Sequence, residues 1–266
     1  MNAKPVRVTT LRLRQMKQRG EKISMLTAYD YTMSKLLDLA GVDMLLVGDS
    51  LGMVVQGHDT TIPVTLEQMI YHGQMVARAA VRAMVVVDLP FPHGQLGVGR
   101  TLRVAAKVMK KTGCQAVKLE GGAEQAETIR AMVDAGIPVI AHVGLRPQSV
   151  HALGGYRVQR DADRLMTDAK AAESAGAFCV LMECVPRDLA KQVTATLTVP
   201  TIGIGAGADC DGQVLVTHDM LGLTVDRVPK FVRSQANLAE QITCAVTKYN
   251  QAVRDGSFPG PDESFE

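Results

Sequence analysis

Seven short apolar runs, each followed by a turn and an amphipathic stretch, recur along this chain and limit its fold more than any other feature. They are ISMLTAYD from position 23, VDMLLVGD from 42, MVVVDLP from 84, AVKLEG from 116, PVIAHVG from 138, FCVLMEC from 178 and PTIGIGAG from 200. Runs of this kind read as strands. The helical stretches between them make the strands parallel, because a parallel pair needs a long crossover and a helix supplies it. Helix ends are legible too: Thr65 and Gln68 fit a capping box after Pro63, and Gly113, Gly136 and Gly176 stand where C-caps belong. Seven such units, with a weak eighth near RVPKFV at 227, predict an α/β chain folded as a (β/α)8 TIM barrel. A doubly wound open sheet ranks second, because it needs fewer strands and no G-x-G-x-x-G follows the first one.

A barrel of this kind takes about 250 residues, so the 266 here predict one domain over 1–266, with an N-terminal extension over 1–20 and a mobile tail over 256–266. Lysine plus arginine number 29 against 27 acids, with no charge block long enough to follow a phosphate backbone, which argues against a nucleic-acid partner. No apolar run of about 18 residues is present to span a membrane. The basic segment MNAKPVRVTTLRLRQMKQRG lacks the apolar core and cleavage site of a secretory signal, so a cytoplasmic location is expected. Cys114, Cys179, Cys184, Cys210 and Cys244 form an odd set without a C-x-x-C pair, against both a disulfide framework and a zinc site.

The chemistry lies at the carboxyl ends of the runs, where Asp30, Asp49, Asp88, Glu120, His142 and Glu183 each close a strand. In a parallel barrel these ends converge on one mouth. Clustered carboxylates repel and raise one another's pKa unless a cation neutralises them, and an oxygen-rich set without a cysteine or multi-histidine cluster suits a hard ion such as Mg²⁺. For any one of these acids, capping the next helix is an equally good account. Lys118 alternates with Glu120 and shares its face. It fits three roles: holding a substrate carboxylate, forming a Schiff base, or serving as counter-ion to Asp88 or Glu120. The glycines of GIGAG read as tight turns about as well as a phosphate loop, and His58, His72, His93, His151 and His218 fall in loops or helices.

The segment VDMLLVGDSLGMVVQGHDTTIPVT at 42–65, together with VVVDLPF, AVKLEGG, HVGLRPQS, VLMECVP and IGIGAG, resembles the ketopantoate hydroxymethyltransferase family, and the resemblance runs from about position 8 to the end. It implies a barrel of the phosphoenolpyruvate/pyruvate type. The implied reaction moves the one-carbon unit of 5,10-methylenetetrahydrofolate onto 3-methyl-2-oxobutanoate, giving 2-dehydropantoate for pantothenate synthesis. It further implies Mg²⁺ dependence and a homo-oligomer, a decamer. By position, Asp49, Asp88 and Glu120 correspond to the metal-centre acids. Ser50, Asp88, Lys118 and His142 correspond to substrate contacts, and Glu183 to the base that removes the C3 proton; no folate-contacting residue is assigned. Two segments depart from the family pattern: Pro92-His93-Gly94 replaces small residues and a tyrosine beside Asp88, and the Gly-rich lid is shortened after Gln159. An Mg²⁺-dependent 2-oxo acid lyase or aldolase, or a divergent paralogue with altered substrate, is the alternative expectation.

Overall fold

The computed structural model describes residues 6–225 and 228–265. These fall into two compact units, residues 6–216 and the described residues from 217 onward.

The first unit runs α1 (Thr10–Gln18), β1 (Ile23–Thr27), α2 (Tyr31–Leu39), β2 (Met44–Val47), α3 (Leu51–Val54), α4 (Leu66–Ala79), β3 (Met84–Asp88), α5 (Val98–Thr112), β4 (Ala116–Glu120), α6 (Ala126–Asp134), β5 (Val139–Gly144), α7 (Ala162–Ser174), β6 (Cys179–Glu183), α8 (Arg187–Thr196), β7 (Thr201–Ile204) and β8 (Gly212–Leu215). The eight strands close in sequence order into one all-parallel barrel, as the alternation predicted. The predicted caps are present as well. Thr65 and Gln68 exchange side-chain and backbone bonds of 2.8 and 3.2 Å at the start of α4, and Gly113 caps α5 with φ of 76°.

The eighth strand differs from its expected place. Residues 226 and 227 lie outside the described residues and 228–232 carry no strand, whereas GQVL at 212–215 pairs with β1, Ile23 opposite Gly212. A four-residue strand containing Gly and an exposed Gln offers no apolar run, and a helix-free connection joins it to β7.

Alternation along each strand separates two cores. Leu45, Val47, Val85, Val87, Val117, Leu119, Val139, Val180 and Met182 face outward into a layer formed with helix residues such as Met69, Val108, Met132, Ala169 and Val193. Inside the barrel, Ile23, Met25, Met44, Leu46, Met84, Val86, Ile140, Leu181 and Ile202 pack together with Val8, Leu13 and Met16. Within the segment expected as an extension, α1 buries Leu13 and Met16 against the barrel interior. It is capped by Thr9 and held by Lys17, which bonds Asp211 at 2.7 Å and the Thr194 carbonyl at 2.9 Å.

The second unit contains α9 (Thr217–Met220) and α10 (Leu238–Asp255), which ends at Gly256 in the left-handed conformation, and a 3-10 turn over Pro261–Glu263 within the segment expected as a tail. On α10, Ile242, Val246, Tyr249 and Val253 recur at helical spacing and are all about half exposed. No helix among the described residues is long and apolar enough to cross a membrane.

Candidate active site

The inward parity that places Val86, Ile140 and Leu181 in the barrel core continues at the strand ends with Asp88, Lys118, Glu120, His142 and Glu183. Strand register then decides the neighbours: Asp88 lies opposite Lys118, Glu120 opposite His142, and Gly144 opposite Glu183. Lys118 Nζ is 2.8 Å from Asp88 Oδ2 and 3.1 Å from His142 Nδ1. His142 Nε2 is 3.3 Å from Glu183 Oε2, and Nδ1 is 3.7 Å from Glu120 Oε1. An ammonium only donates, so Nδ1 accepts and the ring proton sits on Nε2, toward Glu183. That N–H is not aligned for a full hydrogen bond and has no other partner among the described residues.

Burial and charge set the protonation of this cluster. Burial raises the Asp88 carboxyl to about 8 against the pull of Lys118, and burial likewise lifts Glu120 well above the usual carboxylate range. For Lys118 burial opposes the charge, but Asp88, Glu120 and Asp49 outweigh it and keep the ammonium protonated. Burial and then Lys118 hold His142 well below its usual value, so its imidazole is neutral. Glu183, whose side chain is 16% exposed, is raised by burial to about 7 with Lys118 opposing. Such a value suits a group that must take a proton near neutral pH.

Among the described residues, no group of three or more His, Cys, Asp or Glu side chains converges closely enough to hold a metal ion by itself. The donor set nevertheless fits a hard cation with few protein ligands. Asp88 is fully buried with Lys118 beside Oδ2, while Asp88 Oδ1 and Glu120 Oε1 have no hydrogen-bond partner among the described residues. Asp49, Asp88, Glu120 and Glu183 set four carboxyls against one lysine. Mg²⁺ commonly takes one or two carboxylates and completes its shell from water and ligand.

Of the strand-end residues singled out from sequence, five meet at this mouth and Asp30 does not. Asp30 is exposed and caps α2, its carboxylate accepting from Met33 N at 2.8 Å. Asp49 is 4% exposed. Ser50, beside it, shares a 2.8 Å hydrogen bond with the Tyr29 hydroxyl. Lys118 takes the counter-ion position, one of its three expected roles. The Pro92-His93-Gly94 segment forms a turn in which Gly94 lies against Leu119 of the outer layer. The shortened lid is tied down where Gln159 N donates to the Cys184 carbonyl at 2.9 Å. Burial and then Glu183, Asp49 and Glu120 raise the Tyr156 phenol, whose hydroxyl donates to Met53 Sδ at 3.7 Å.

Two features escaped the sequence reading. Gln148, inside the HVGLRPQS segment, is buried and bonds both Asp49 and Glu120; it does not titrate, so a search for ionisable groups passes over it. Cys184 holds a positive φ of 49°, unusual for a residue with a side chain and positioned directly after Glu183.

Comparison with known proteins bears on the whole chain. The sequence model of the ketopantoate hydroxymethyltransferase family matches residues 7–261. A 3-methyl-2-oxobutanoate hydroxymethyltransferase of Rhodopirellula baltica is 62% identical over 260 residues, covering 98% of this chain and 97% of that one. One of Syntrophus aciditrophicus is 54% identical over 263 residues, covering 97% of each. Among solved structures, a 2,3-dimethylmalate lyase of the PEP mutase/isocitrate lyase superfamily has a TM-score of 0.60 at 18% identity, covering 97% of this chain and 91% of that one. A phosphoenolpyruvate phosphomutase from Streptomyces platensis has a TM-score of 0.62 at 16% identity, covering 93% and 88%. At such identities the likeness speaks to the barrel alone.

Proposed function

The chain belongs to the ketopantoate hydroxymethyltransferase family and is a hydroxymethyl-transferring enzyme, and from this premise we propose that it moves the one-carbon unit of 5,10-methylenetetrahydrofolate onto 3-methyl-2-oxobutanoate to give 2-dehydropantoate in pantothenate biosynthesis. The observation that carries the mechanism is Glu183, a carboxyl raised to about 7 at the rim of a buried acidic cluster.

Asp49, Asp88 and Glu120 would hold Mg²⁺, through water where a carboxylate does not reach it. When bound, the ion draws electron density from the oxygens of the 2-oxo acid and so acidifies its C3–H bond. Lys118 and Ser50 are the groups for the substrate carboxylate. Lys118 already pairs with Asp88, so its position is fixed before substrate arrives. His142, neutral, donates toward Glu183 from Nε2 and steadies the carboxylate that results when Glu183 loses its proton. Glu183 then takes the proton from C3 and the C3–H electron pair becomes the enolate; water cleaves both C–N bonds of the methylene group, releasing tetrahydrofolate and leaving the one-carbon unit as formaldehyde, and the enolate carbon adds to that carbonyl, whose oxygen takes the proton back from Glu183 to become the hydroxyl. The low polarity of the barrel interior beneath the cluster limits competing water and strengthens each of these contacts.

The test is exchange of the C3 proton of 3-methyl-2-oxobutanoate in D₂O without folate, followed by NMR. Exchange that requires Mg²⁺ and stops with EDTA is expected; no exchange from folded, Mg²⁺-loaded protein would reject the mechanism. Product formation that needs methylenetetrahydrofolate separates a transferase from a 2-oxo acid lyase. The proposal includes a cytoplasmic homodecamer. The half-exposed apolar stripe Ile242, Val246, Tyr249 and Val253 supports self-association, which light scattering of the purified protein measures.

A further inference from the structure

Gln148 lies in the 3-10 turn Pro147–Ser149 after β5, with 4% of its surface exposed. Three of its hydrogens reach protein acceptors. Its backbone N–H donates to Glu120 Oε2 at 3.1 Å, and its side-chain amide donates to Asp49 Oδ2 at 2.8 Å and to the Leu89 carbonyl at 2.9 Å. A backbone carbonyl can only accept, so the atom facing Leu89 is the NH₂ group and the orientation of the amide is fixed. Both amide hydrogens are therefore committed to the protein. Oε1 is turned away from them, buried and without a donor among the described residues. A buried acceptor left unpaired is costly, which marks the atom as one that a ligand completes.

Chemistry identifies the ligand atom. A 2-oxo acid anion offers a carboxylate and a ketone, both acceptors, and cannot fill Oε1, whereas a water held by a cation donates and can. The identity of residue 148 is informative for the same reason. A lysine or arginine there would orient the two acids by neutralising them and would compete with a cation, whereas a neutral amide fixes their geometry and leaves their charge available.

We propose that Gln148 is a positioning residue of the cation site, pinning Asp49 and Glu120 through its N–H groups and accepting at Oε1 a hydrogen bond from a water in the shell of a divalent cation. This inference rests on the Mg²⁺-dependent function proposed above.

Mn²⁺ alone, as a paramagnetic probe, tests it without substrate or turnover. Wild-type and Gln148→Leu proteins are titrated with Mn²⁺, free ion is followed by electron paramagnetic resonance, and water-proton relaxation is measured per bound ion. We expect the variant to bind about 10–100-fold more weakly, the usual effect of losing a group that orients a ligand, with altered relaxation and an unchanged circular dichroism spectrum. Affinity within roughly twofold of wild type overturns the positioning role, and unchanged relaxation overturns the water contact. Wild-type protein that binds no Mn²⁺ overturns the cation reading itself, and Gln148 with it, so the two failures are distinguishable. If Gln148→Leu does not fold, Gln148→Met, close in length and also without polar groups, carries the same expectations and the same refutations.

Discussion

Replacing Glu183 with glutamine should remove proton transfer and at the same time stabilise the fold above neutral pH. Burial raises this carboxyl from 4.5 to about 7 with Lys118 opposing, and the side chain is 16% exposed, so solvent screens it little. Its folded value lies above the unfolded one, so its contribution to stability is complete below about pH 4.5 and is lost as pH rises through about 7. At about 1.4 kcal/mol per pH unit, ionising Glu183 in place costs the fold up to about 3 kcal/mol at pH 8. Glutamine has no charge to desolvate and retains the shape. The variant should therefore exceed wild type by up to about 3 kcal/mol at pH 8 and by much less at pH 5. Losing a general base should slow C3 exchange by about 10²–10⁴-fold. Wild-type exchange should follow the deprotonated carboxylate, half-maximal near pH 7 and flat above it. Urea unfolding at both pH values in EDTA and NMR exchange with Mg²⁺ measure the two effects. Exchange at the wild-type rate, or a stability gain no larger at pH 8 than at pH 5, would refute the reasoning.

Three further outcomes follow from the same geometry. Lys118→Met removes the 2.8 Å partner of the fully buried Asp88 and should lower stability by about 3–5 kcal/mol at pH 8. That deficit should shrink at pH 5, where the carboxyls carry protons; an equal deficit in urea at both pH values would count against charge as its cause. Asp30→Ala should cost about 1 kcal/mol by removing the α2 cap and leave C3 exchange unaltered, whereas slowed exchange would return Asp30 to the site. Gly144→Ala forces a side chain onto φ of 88° with its Cβ 2.5 Å from the Glu183 carbonyl. It should lose roughly 1–3 kcal/mol and slow exchange, and a thermal melt and rate equal to wild type would show that the backbone there can yield.

The barrel was legible because its strands are apolar on both faces: a strand packed inside and outside reads as a continuous run, and seven of eight did so. GQVL at 212–215 escaped because Gly212 and the exposed Gln213 carry no such signal; only closure of the sheet onto Ile23 makes those residues a strand. The burial of α1 is hidden in the sequence for a related reason. Leu13 and Met16 are two apolar positions in a basic segment, and they are buried in one cluster with residues of the barrel interior far along the chain.

The site divides along the same line. The positions of Asp49, Asp88, Lys118, Glu120, His142 and Glu183 at strand ends are fixed by sequence, because alternation and strand length set which residue closes each run. Sequence could not tell Asp30 from them, since a strand-end acid and a helix cap have the same pattern until the helix N–H groups are placed. Nor could it place Lys118 beside Asp88, which strand register does by setting the two opposite each other. Gln148 gains its place from contacts 28, 59 and 99 residues away. Periodicity along one chain determined the elements and the chemical groups at their ends, while the barrel's closure brought distant groups within bonding distance in an environment dry enough to change their protonation.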